Sequence, residues 1–277
     1  MSAIITDQLR ILNCENFSAG VASTSNSYYA WIGLPNASDF QSDWDSNPPA
    51  PKDAFSEEND YWDTMIALKK INAADISRVV RKIDWTSGTT YEMYRDDYSR
   101  SNISPQTSST TLYDANYYVM NQDYRVYICL QNGTNPENTE GRPSLDEPLF
   151  TDLEPRSAGS SGDGYVWKYL FTINPSQLIK FDSTSFIPLP ADWKTSSDVA
   201  AVRNNATTSG QLKIVTITGR GVGYGTAATY NNVPLLGDGQ GGKCSVVVNA
   251  AGKIDSVEVT SGDSEYTFAN VGLANVG

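Results

Sequence analysis

Pairs of carboxylates are the side chains in this sequence whose type and spacing could support acid–base chemistry. They lie in two short stretches and are Glu57, Glu58, Asp60, Asp63, Asp96 and Asp97. Glycoside hydrolysis needs two acids roughly 5 to 9 Å apart across a sugar cleft. The first stretch lies at the predicted start of a helix and the second in a tyrosine-rich loop, where helix capping and solvation are simpler roles. The pattern therefore favours a structural role over catalysis.

The sequence contains no histidine. Imidazole is the base in Ser-His-Asp and Cys-His nucleophile pairs, a common ligand of catalytic zinc, and the side chain whose ordinary pKa lies nearest neutrality. Those classes of site are therefore excluded, which leaves carboxylate chemistry, lysine chemistry and binding. We predict that the protein is not an enzyme and has no catalytic residue, no metal site and no cofactor.

Two glycine-rich stretches resemble nucleotide-binding loops only in part. Residues 237–244 (GDGQGGKC) depart from the phosphate-binding pattern because Cys244 lacks the hydroxyl that would hold magnesium, and a β-branched run follows instead of a helix. Residues 219–225 match a dinucleotide fingerprint in glycine count alone, since no βαβ unit follows. We interpret the first stretch as a hairpin loop and the second as turns that need positive φ.

Charge and cysteine content limit the partners and the compartment. The formal charge is −12, from 32 acidic and 20 basic residues, and no basic run occurs, which argues against nucleic acid or an anionic membrane as a partner. Cys14, Cys129 and Cys244 fit neither a zinc knuckle nor a disulfide framework, so we expect them to be reduced and buried. Nothing at the N-terminus resembles a signal peptide, and we expect synthesis in a cytoplasm and no small-molecule substrate.

Aromatic residues are abundant, with 16 tyrosines and 6 tryptophans. Five of them lie in polar loop sequence: Trp44, Tyr91, Tyr94, Tyr98 and Tyr113. An amphipathic ring in such surroundings is useful at a protein interface, so we propose these five as interface residues. Packing within the loops themselves is the alternative, and the sequence leaves both open.

The periodicity of apolar residues predicts the main elements. Strand alternation is clearest at Tyr124–Leu130 and Tyr165–Ile173, and shorter strands are predicted at Tyr28–Gly33 and Val79–Trp85. The first twenty residues are compatible with a helix that ends at Gly20.

Less regular sequence connects these elements. Acidic residues followed by apolar residues at helical spacing predict a helix over Glu57–Leu68, and Asn72 is a predicted N-cap. Long loops are predicted near 35–60 and at 132–163. Loops of this length in a compact domain are usually functional or ordered by a partner.

A change of composition after Asn205 predicts a second domain. Lys213–Tyr224 and Lys253–Tyr266 share a pattern of β-branched residues, glycine and a closing tyrosine, offset by 40 to 42 residues. We interpret this as an internal repeat of small β units. The predicted domains are 1–205 and 206–277. Because such repeats usually continue with another strand, a truncated or processed chain is one interpretation of the end of the sequence.

One strand resembles a known family. Residues 162–171 (GDGYVWKYLF) are similar to the D-G-Y-x-W-x-Y-L strand of the baseplate wedge subunit encoded by gene 8 in T-even-like contractile-tailed bacteriophages. The motif residues are Gly162, Asp163, Gly164, Tyr165, Trp167 and Tyr169. Further stretches resemble successive blocks of that family in the same order, over about residues 1 to 195: 28–33 with Trp44 downstream, 61–68, 71–85 and 126–130.

The resemblance implies a fold, partners and a location. It implies a mainly β protein, an antiparallel β-sandwich with a few short helices in inserted loops, which is usually a homodimer packed against other wedge proteins in the virion tail and has no catalytic activity. The C-terminal repeat departs from the family and looks more like the β modules of phage tail appendages.

These observations give two main hypotheses for function. The first is a structural subunit of the tail baseplate wedge that connects neighbouring wedge proteins during assembly and tail contraction. The second is a receptor- or glycan-binding tail appendage protein, suggested by the repeat and the loop aromatics. A carboxylate-dependent cell-wall hydrolase would depend on the paired acids alone.

Overall fold

The chain is mainly β in the part that the computed structural model describes. The described residues are 7–33, 46, 62, 64–94, 115–134, 138, 140–190 and 192–276. They form eleven strands in antiparallel sheets and three α-helices, which confirms the predicted fold class, whereas the sandwich arrangement stays a prediction. The chain divides into two compact units, Met1–Ser77 and Arg78–Gly277.

The first unit contains one helix and one two-stranded sheet. Helix α1 (Asp7–Ala22) precedes strand β1 (Tyr28–Gly33), which pairs antiparallel with β2 (Met65–Ile71). Among the described residues of this unit, Val21 alone has a buried side chain. The described part of the unit therefore has little core of its own.

Three of the four elements and caps predicted in this unit are correct, including the strand Tyr28–Gly33. The N-terminal helix is confirmed and ends two residues beyond Gly20. Asn72 caps a 3₁₀ turn at Ala73–Asp75 by accepting a hydrogen bond from the N–H of Ala74, at 2.9 Å. The helix predicted over Glu57–Leu68 is wrong from Met65 onward, because these residues pair along β1 and their side chains alternate between the two faces of the sheet.

The second unit begins with five strands and two short helices. They are β3 (Val79–Arg81), β4 (Tyr118–Met120), β5 (Arg125–Asn132), β6 (Tyr165–Thr172), α2 (Pro175–Phe181), β7 (Phe186–Pro188) and α3 (Ala200–Asn205). Strands β4, β5 and β6 form one sheet in that order, and β3 pairs with β7. Both strands with the clearest alternation are confirmed, although Tyr124 lies in the preceding turn with φ of 58°.

The last part of the second unit is a four-stranded sheet. Its strands are β8 (Ala228–Gly237), β9 (Lys243–Val248), β10 (Ile254–Ser261) and β11 (Ala269–Val271), in the order β10-β9-β8-β11. Strands β8 and β9 are antiparallel neighbours, so the loop that joins them is the predicted hairpin. The sheet has its own apolar core, which includes Val246, Val248 and Ile254. The proposed boundary at residues 205 and 206 lies inside this unit and stays a prediction.

The two halves of the predicted repeat share one backbone feature and differ in another. Gly221 and Gly223 have φ of 59° and 85°, and Asp263 and Glu265, which lie 42 residues later, have φ of 40° and 66°. The turn before the closing tyrosine is therefore repeated. The residues that precede it differ, since the second copy contains β10 whereas 213–219 form no assigned strand.

All three cysteines are free thiols, as predicted. Cys129 and Cys244 are buried, and burial raises the pKa of both, to about 11 for Cys244. Cys14 is exposed on α1, so its predicted burial is wrong. The reason is that the described residues around it on α1 are also exposed.

Candidate functional site

The motif strand that carries the family resemblance lies in the core. Tyr165 and Trp167 are fully buried, and their rings stack with centroids 5.3 Å apart and planes 14° apart. The Tyr165 hydroxyl donates to the carbonyl of Arg142 at 2.6 Å and accepts from the N–H of Tyr91 at 2.8 Å. Burial raises the pKa of Tyr165, so the hydroxyl stays a neutral donor.

Asp163 of the same motif links the long loop that precedes β6 to the first residue of that strand. One carboxylate oxygen accepts from the N–H of Leu145 at 2.9 Å, and the other accepts from the N–H of Tyr165 at 3.0 Å. The neighbouring Gly164 has φ of 86°, and a Cβ there would come within 2.8 Å of the Cα of Gly133. The motif thus requires glycine and aspartate at these positions for backbone geometry.

Further bonds hold the described part of the 132–163 loop against the sheet. The hydroxyl of Tyr127 donates to the carbonyl of Phe150 at 2.6 Å, and Asn121 donates to the carbonyl of Pro148 at 2.8 Å. Burial raises the pKa of Tyr127 to about 12. The chain's own strands therefore hold residues 148 and 150 of this loop, while a functional or partner-ordered role for the loop stays a prediction.

Of the five aromatic residues proposed for an interface, Tyr91 is a core residue. It is 1% exposed and packs edge-on against Trp167, with ring centroids 5.7 Å apart. Its hydroxyl accepts from the N–H of Thr86 at 2.7 Å. An interface role for Tyr91 is therefore wrong, because these contacts remove its ring from the surface.

Tyr94 is the proposed interface residue that lies at the surface. It is 43% exposed, and its ring lies 5.9 Å from that of Tyr117. Tyr117 in turn contacts Tyr118 at 5.4 Å, which makes a row of three tyrosines. Tyr117 and Tyr118 were not among the predicted interface residues, although Tyr118 begins β4 and Tyr117 directly precedes it. Trp44, Tyr98 and Tyr113 lie outside the described residues.

An exposed apolar surface of the first unit lies on the β1–β2 sheet. Trp31 lies directly opposite Leu68, and Tyr29 lies on the same side because side chains two apart share a face. We call Tyr29, Trp31 and Leu68 the open face. Their exposed fractions run from 42% for Trp31 to 54% for Tyr29, whereas aromatic and aliphatic strand residues are usually half-buried or more.

A concave site lies on this open face. A cavity of about 410 Å³ is lined by Tyr29, Trp31, Trp62, Met65 and Leu68. The Trp31 ring extends over Gly33, where a Cβ would come within 2.5 Å of it. An apolar cavity with aromatic walls can receive an apolar or aromatic side chain of another protein.

Helix α1 contacts the other face of β1 at its first residue, Tyr28. The rings of Phe17 and Tyr28 meet edge-on at 5.7 Å, and a Cβ at Gly20 would come within 2.9 Å of the Tyr28 hydroxyl. Charged groups lie at the end of β2, where Lys69 pairs with Asp75 at 2.5 Å. The open face is thus the side of the sheet opposite to α1, and it is bordered by polar groups.

The described residues contain neither a group of metal ligands nor a membrane-spanning helix. Within them, no three His, Cys, Asp or Glu side chains are grouped so that they could hold a metal ion, and no helix is long and apolar enough to span a membrane. The paired acids at 57–63 and 96–97 lie outside the described residues.

Comparison with known proteins supplies one distant relative. No protein-family model matches the chain. It is 26% identical over 214 residues to the baseplate wedge protein gp8 of Enterobacteria phage T4. The matching region covers 68% of this chain and 60% of the relative, so the chain spans less than two thirds of that protein's length. The resemblance inferred from the ordered sequence blocks is therefore confirmed, and the chain is similar to a bacteriophage baseplate wedge protein.

Proposed function

We propose that this chain is a structural subunit of a phage tail baseplate wedge. Its role is to connect neighbouring wedge proteins during assembly and tail contraction, without catalysis and without a cofactor. It is made in the host cytoplasm and is incorporated into the virion tail as a homodimer. The similarity to a wedge protein supports the location, and the open face supports the mode of action.

The open face is the observation that carries the connecting role. Exposed aromatic and aliphatic side chains on one side of a sheet are stabilising only when another surface removes them from water, by roughly 1.5 to 3 kcal/mol for each large side chain. The three residues of the open face, Tyr29, Trp31 and Leu68, all line one cavity. A wedge neighbour that fills this cavity would therefore gain most of its affinity there.

Co-purification with the other wedge proteins of the same phage tests this role. We expect the tagged full chain to capture at least one wedge protein, and Trp31→Ala with Leu68→Ala to weaken the capture by at least ~100-fold. Trp193→Ala with Leu145→Ala is the matched control, since these residues of the second unit are 41% and 52% exposed, close to the 42% and 52% of the open-face pair.

Three results would contradict the proposal. They are a wild-type chain that captures no wedge protein, equal loss in both double variants, and a strictly monomeric chain by light scattering that also fails to assemble. Saturable binding to host envelope polysaccharide without assembly would favour a tail appendage function instead.

A further inference from the structure

Residues 213–219 have the sequence of a strand but form none in the described structure. The stretch reads KIVTITG, and its apolar residues Val215 and Ile217 pack against the core of the last sheet. Thr216 and Thr218 between them are exposed, as expected for a strand with one buried face. We call residues 213–219 the edge segment.

Two backbone hydrogen bonds fix the ends of the edge segment beside β10. The N–H of Leu212 donates to the carbonyl of Gly262 at 3.1 Å, and the N–H of Ile254 donates to the carbonyl of Arg220 at 3.0 Å. Both bonds use even-numbered residues of this stretch. Since alternate residues of an extended chain direct their N–H and C=O groups to opposite edges, the odd-numbered residues face away from β10.

One further bond agrees with this arrangement. The carbonyl of Val215, an odd-numbered residue, accepts from the side-chain amide of Gln131. Within the described residues, no N–H group of the edge segment donates a hydrogen bond. The outward edge therefore offers the N–H groups of Val215, Ile217 and Gly219 to an incoming strand, because backbone donors need partners when they are removed from water. Such a strand would replace the Gln131 amide as the partner of the Val215 carbonyl.

A groove lies against the same segment. It has a volume of about 430 Å³ and is lined by residues of the edge segment, by β11, and by Leu235, Ile254 and Val257 of the sheet. This volume, with aliphatic and polar residues in its lining, suits the side chains and backbone of one extended peptide.

The internal repeat indicates what the groove receives. In the second copy of the repeat, β10 pairs along its length with β9, whose sequence KCSVVV is rich in β-branched residues. The edge segment is the counterpart of β10, and the turns that follow the two have the same positive φ angles at residues 42 apart. Among the described residues, no strand lies beside the edge segment as β9 lies beside β10.

We propose that the edge segment accepts a β-strand from a different subunit of the assembly, and that this strand is chemically similar to β9. It would be an extended stretch of alternating β-branched residues that pairs with the outward edge and places apolar side chains in the groove. The identity of the donor as another baseplate subunit rests on the proposed function. A second copy of this chain cannot supply β9 without unfolding, because β8 and β10 occupy both edges of that strand.

A synthetic peptide of residues 242–249 with Cys244→Ser is the probe, added to the isolated full chain. We expect it to bind at least ~10-fold more tightly than a scrambled peptide of the same composition. Amide exchange resolved by NMR should slow at Val215, Ile217 and Gly219 and change little at Ile214, Thr216 and Thr218. This alternation would identify backbone pairing at the outward edge.

Two N-methylated peptides provide a matched pair that leaves the protein unchanged. One is methylated at residues 243, 245 and 247 and the other at 244, 246 and 248, so that each loses the donors of one edge. We expect one peptide to bind like the unmodified probe and the other at least ~30-fold more weakly, since three hydrogen bonds are lost.

Three results would overturn the proposal. The two methylated peptides bind equally, or neither the probe nor any variant of it binds, or the amides of residues 214–219 are protected without alternation. Concentration-dependent protection of the same amides without peptide would also overturn it, by identifying a second copy as the occupant. These measurements use the isolated chain, so their failure leaves the capture of wedge proteins through the open face intact, and the reverse also holds.

Discussion

At the scale of single residues, Asp238 is the side chain that links the β8–β9 loop to the segment before β11. Asp238 lies in that loop, and its partners are Thr267 and Phe268. Its carboxylate accepts from the hydroxyl of Thr267, from the N–H of Thr267 at 2.9 Å and from the N–H of Phe268 at 3.2 Å. The bond from the Thr267 hydroxyl is the main cause that lowers the pKa of Asp238 to about 2. The folded state thus favours the charged form of Asp238 more strongly than the unfolded chain does.

A pH dependence of stability follows from this pKa. Because the folded pKa lies below the ordinary value of about 3.9, the carboxylate stabilises the fold above about pH 4, and this contribution is lost as the pH falls toward 2. We expect Asp238→Asn to lower the free energy of unfolding at pH 6 and to differ less and less from wild type between pH 4 and pH 2. Urea unfolding at a series of pH values measures the difference.

The control for net charge is Asp152→Asn, which removes a half-exposed carboxylate that pairs with Arg156. A difference between Asp238→Asn and wild type that stays constant from pH 6 to pH 2 would contradict the assignment.

Burial of individual aromatic residues was predictable only where a period existed. Tyr165 and Trp167 alternate within a correctly predicted strand, and both are buried, as residues on the inner face of a strand are expected to be. Tyr91 lies in a stretch without a period, and its burial depends on hydrogen bonds with Thr86 and with Tyr165, which is 74 residues away. Contacts of that kind leave no local signal in a sequence.

At the scale of elements, the repeated turn before each closing tyrosine sets the backbone of the last sheet. Gly223 has φ of 85°, and a Cβ there would meet no atom within 4 Å. A substitution at this position therefore tests the backbone conformation without steric interference. Glu265 occupies the equivalent position in the second copy at φ of 66°, so the second turn tolerates the cost of a side chain.

We expect Gly223→Ala to lower the free energy of unfolding by about 1 to 2 kcal/mol, because a side chain is disfavoured at positive φ. Gly219→Ala is the matched control, since a Cβ at Gly219 also meets no atom within 4 Å and its φ is not in the positive range. Chemical denaturation compares the two variants. Equal destabilisation of both would show that the positive φ of Gly223 carries no cost.

The β1–β2 sheet shows why the sequence predicted some elements and missed others. Tyr28–Gly33 was correctly predicted as a strand from its aromatic residues. The helix predicted over Glu57–Leu68 from its leading acidic residues includes the first four residues of β2, yet the backbone of β2 pairs with β1 across more than thirty intervening residues. Pairing with a distant strand overrides a weak local preference. The open face was missed for the same reason, since its two halves meet only in the folded chain.

At the scale of the whole molecule, the two units differ in how much apolar surface they bury. The second unit contains three buried clusters, whereas Val21 is the one buried side chain among the described residues of the first. Opening a strand costs less free energy where few buried contacts hold it. The first unit should therefore be the part of the isolated chain that opens most readily.

Hydrogen exchange by mass spectrometry measures this difference. We expect the amides of β1 and β2 to exchange at least ~10-fold faster than those of β5 and β6 in the isolated chain. We also expect exchange in β1 and β2 to slow when a wedge partner is captured, while exchange in β5 and β6 changes little. Equal protection of both pairs of strands in the isolated chain would contradict the inference that the first unit lacks a sufficient core.

The distribution of the three thiols makes the native chain suitable for site-specific labelling. Cys129 and Cys244 are buried with raised pKa values, so a thiol-reactive dye should react with neither in the folded state, whereas Cys14 is exposed on α1. Helix α1 contacts β1 through Tyr28, on the side of the strand opposite to the open face. A fluorophore on Cys14 would therefore report from the unit proposed to dock without occupying the docking surface, and docking could be followed in real time on a chain with no engineered cysteine.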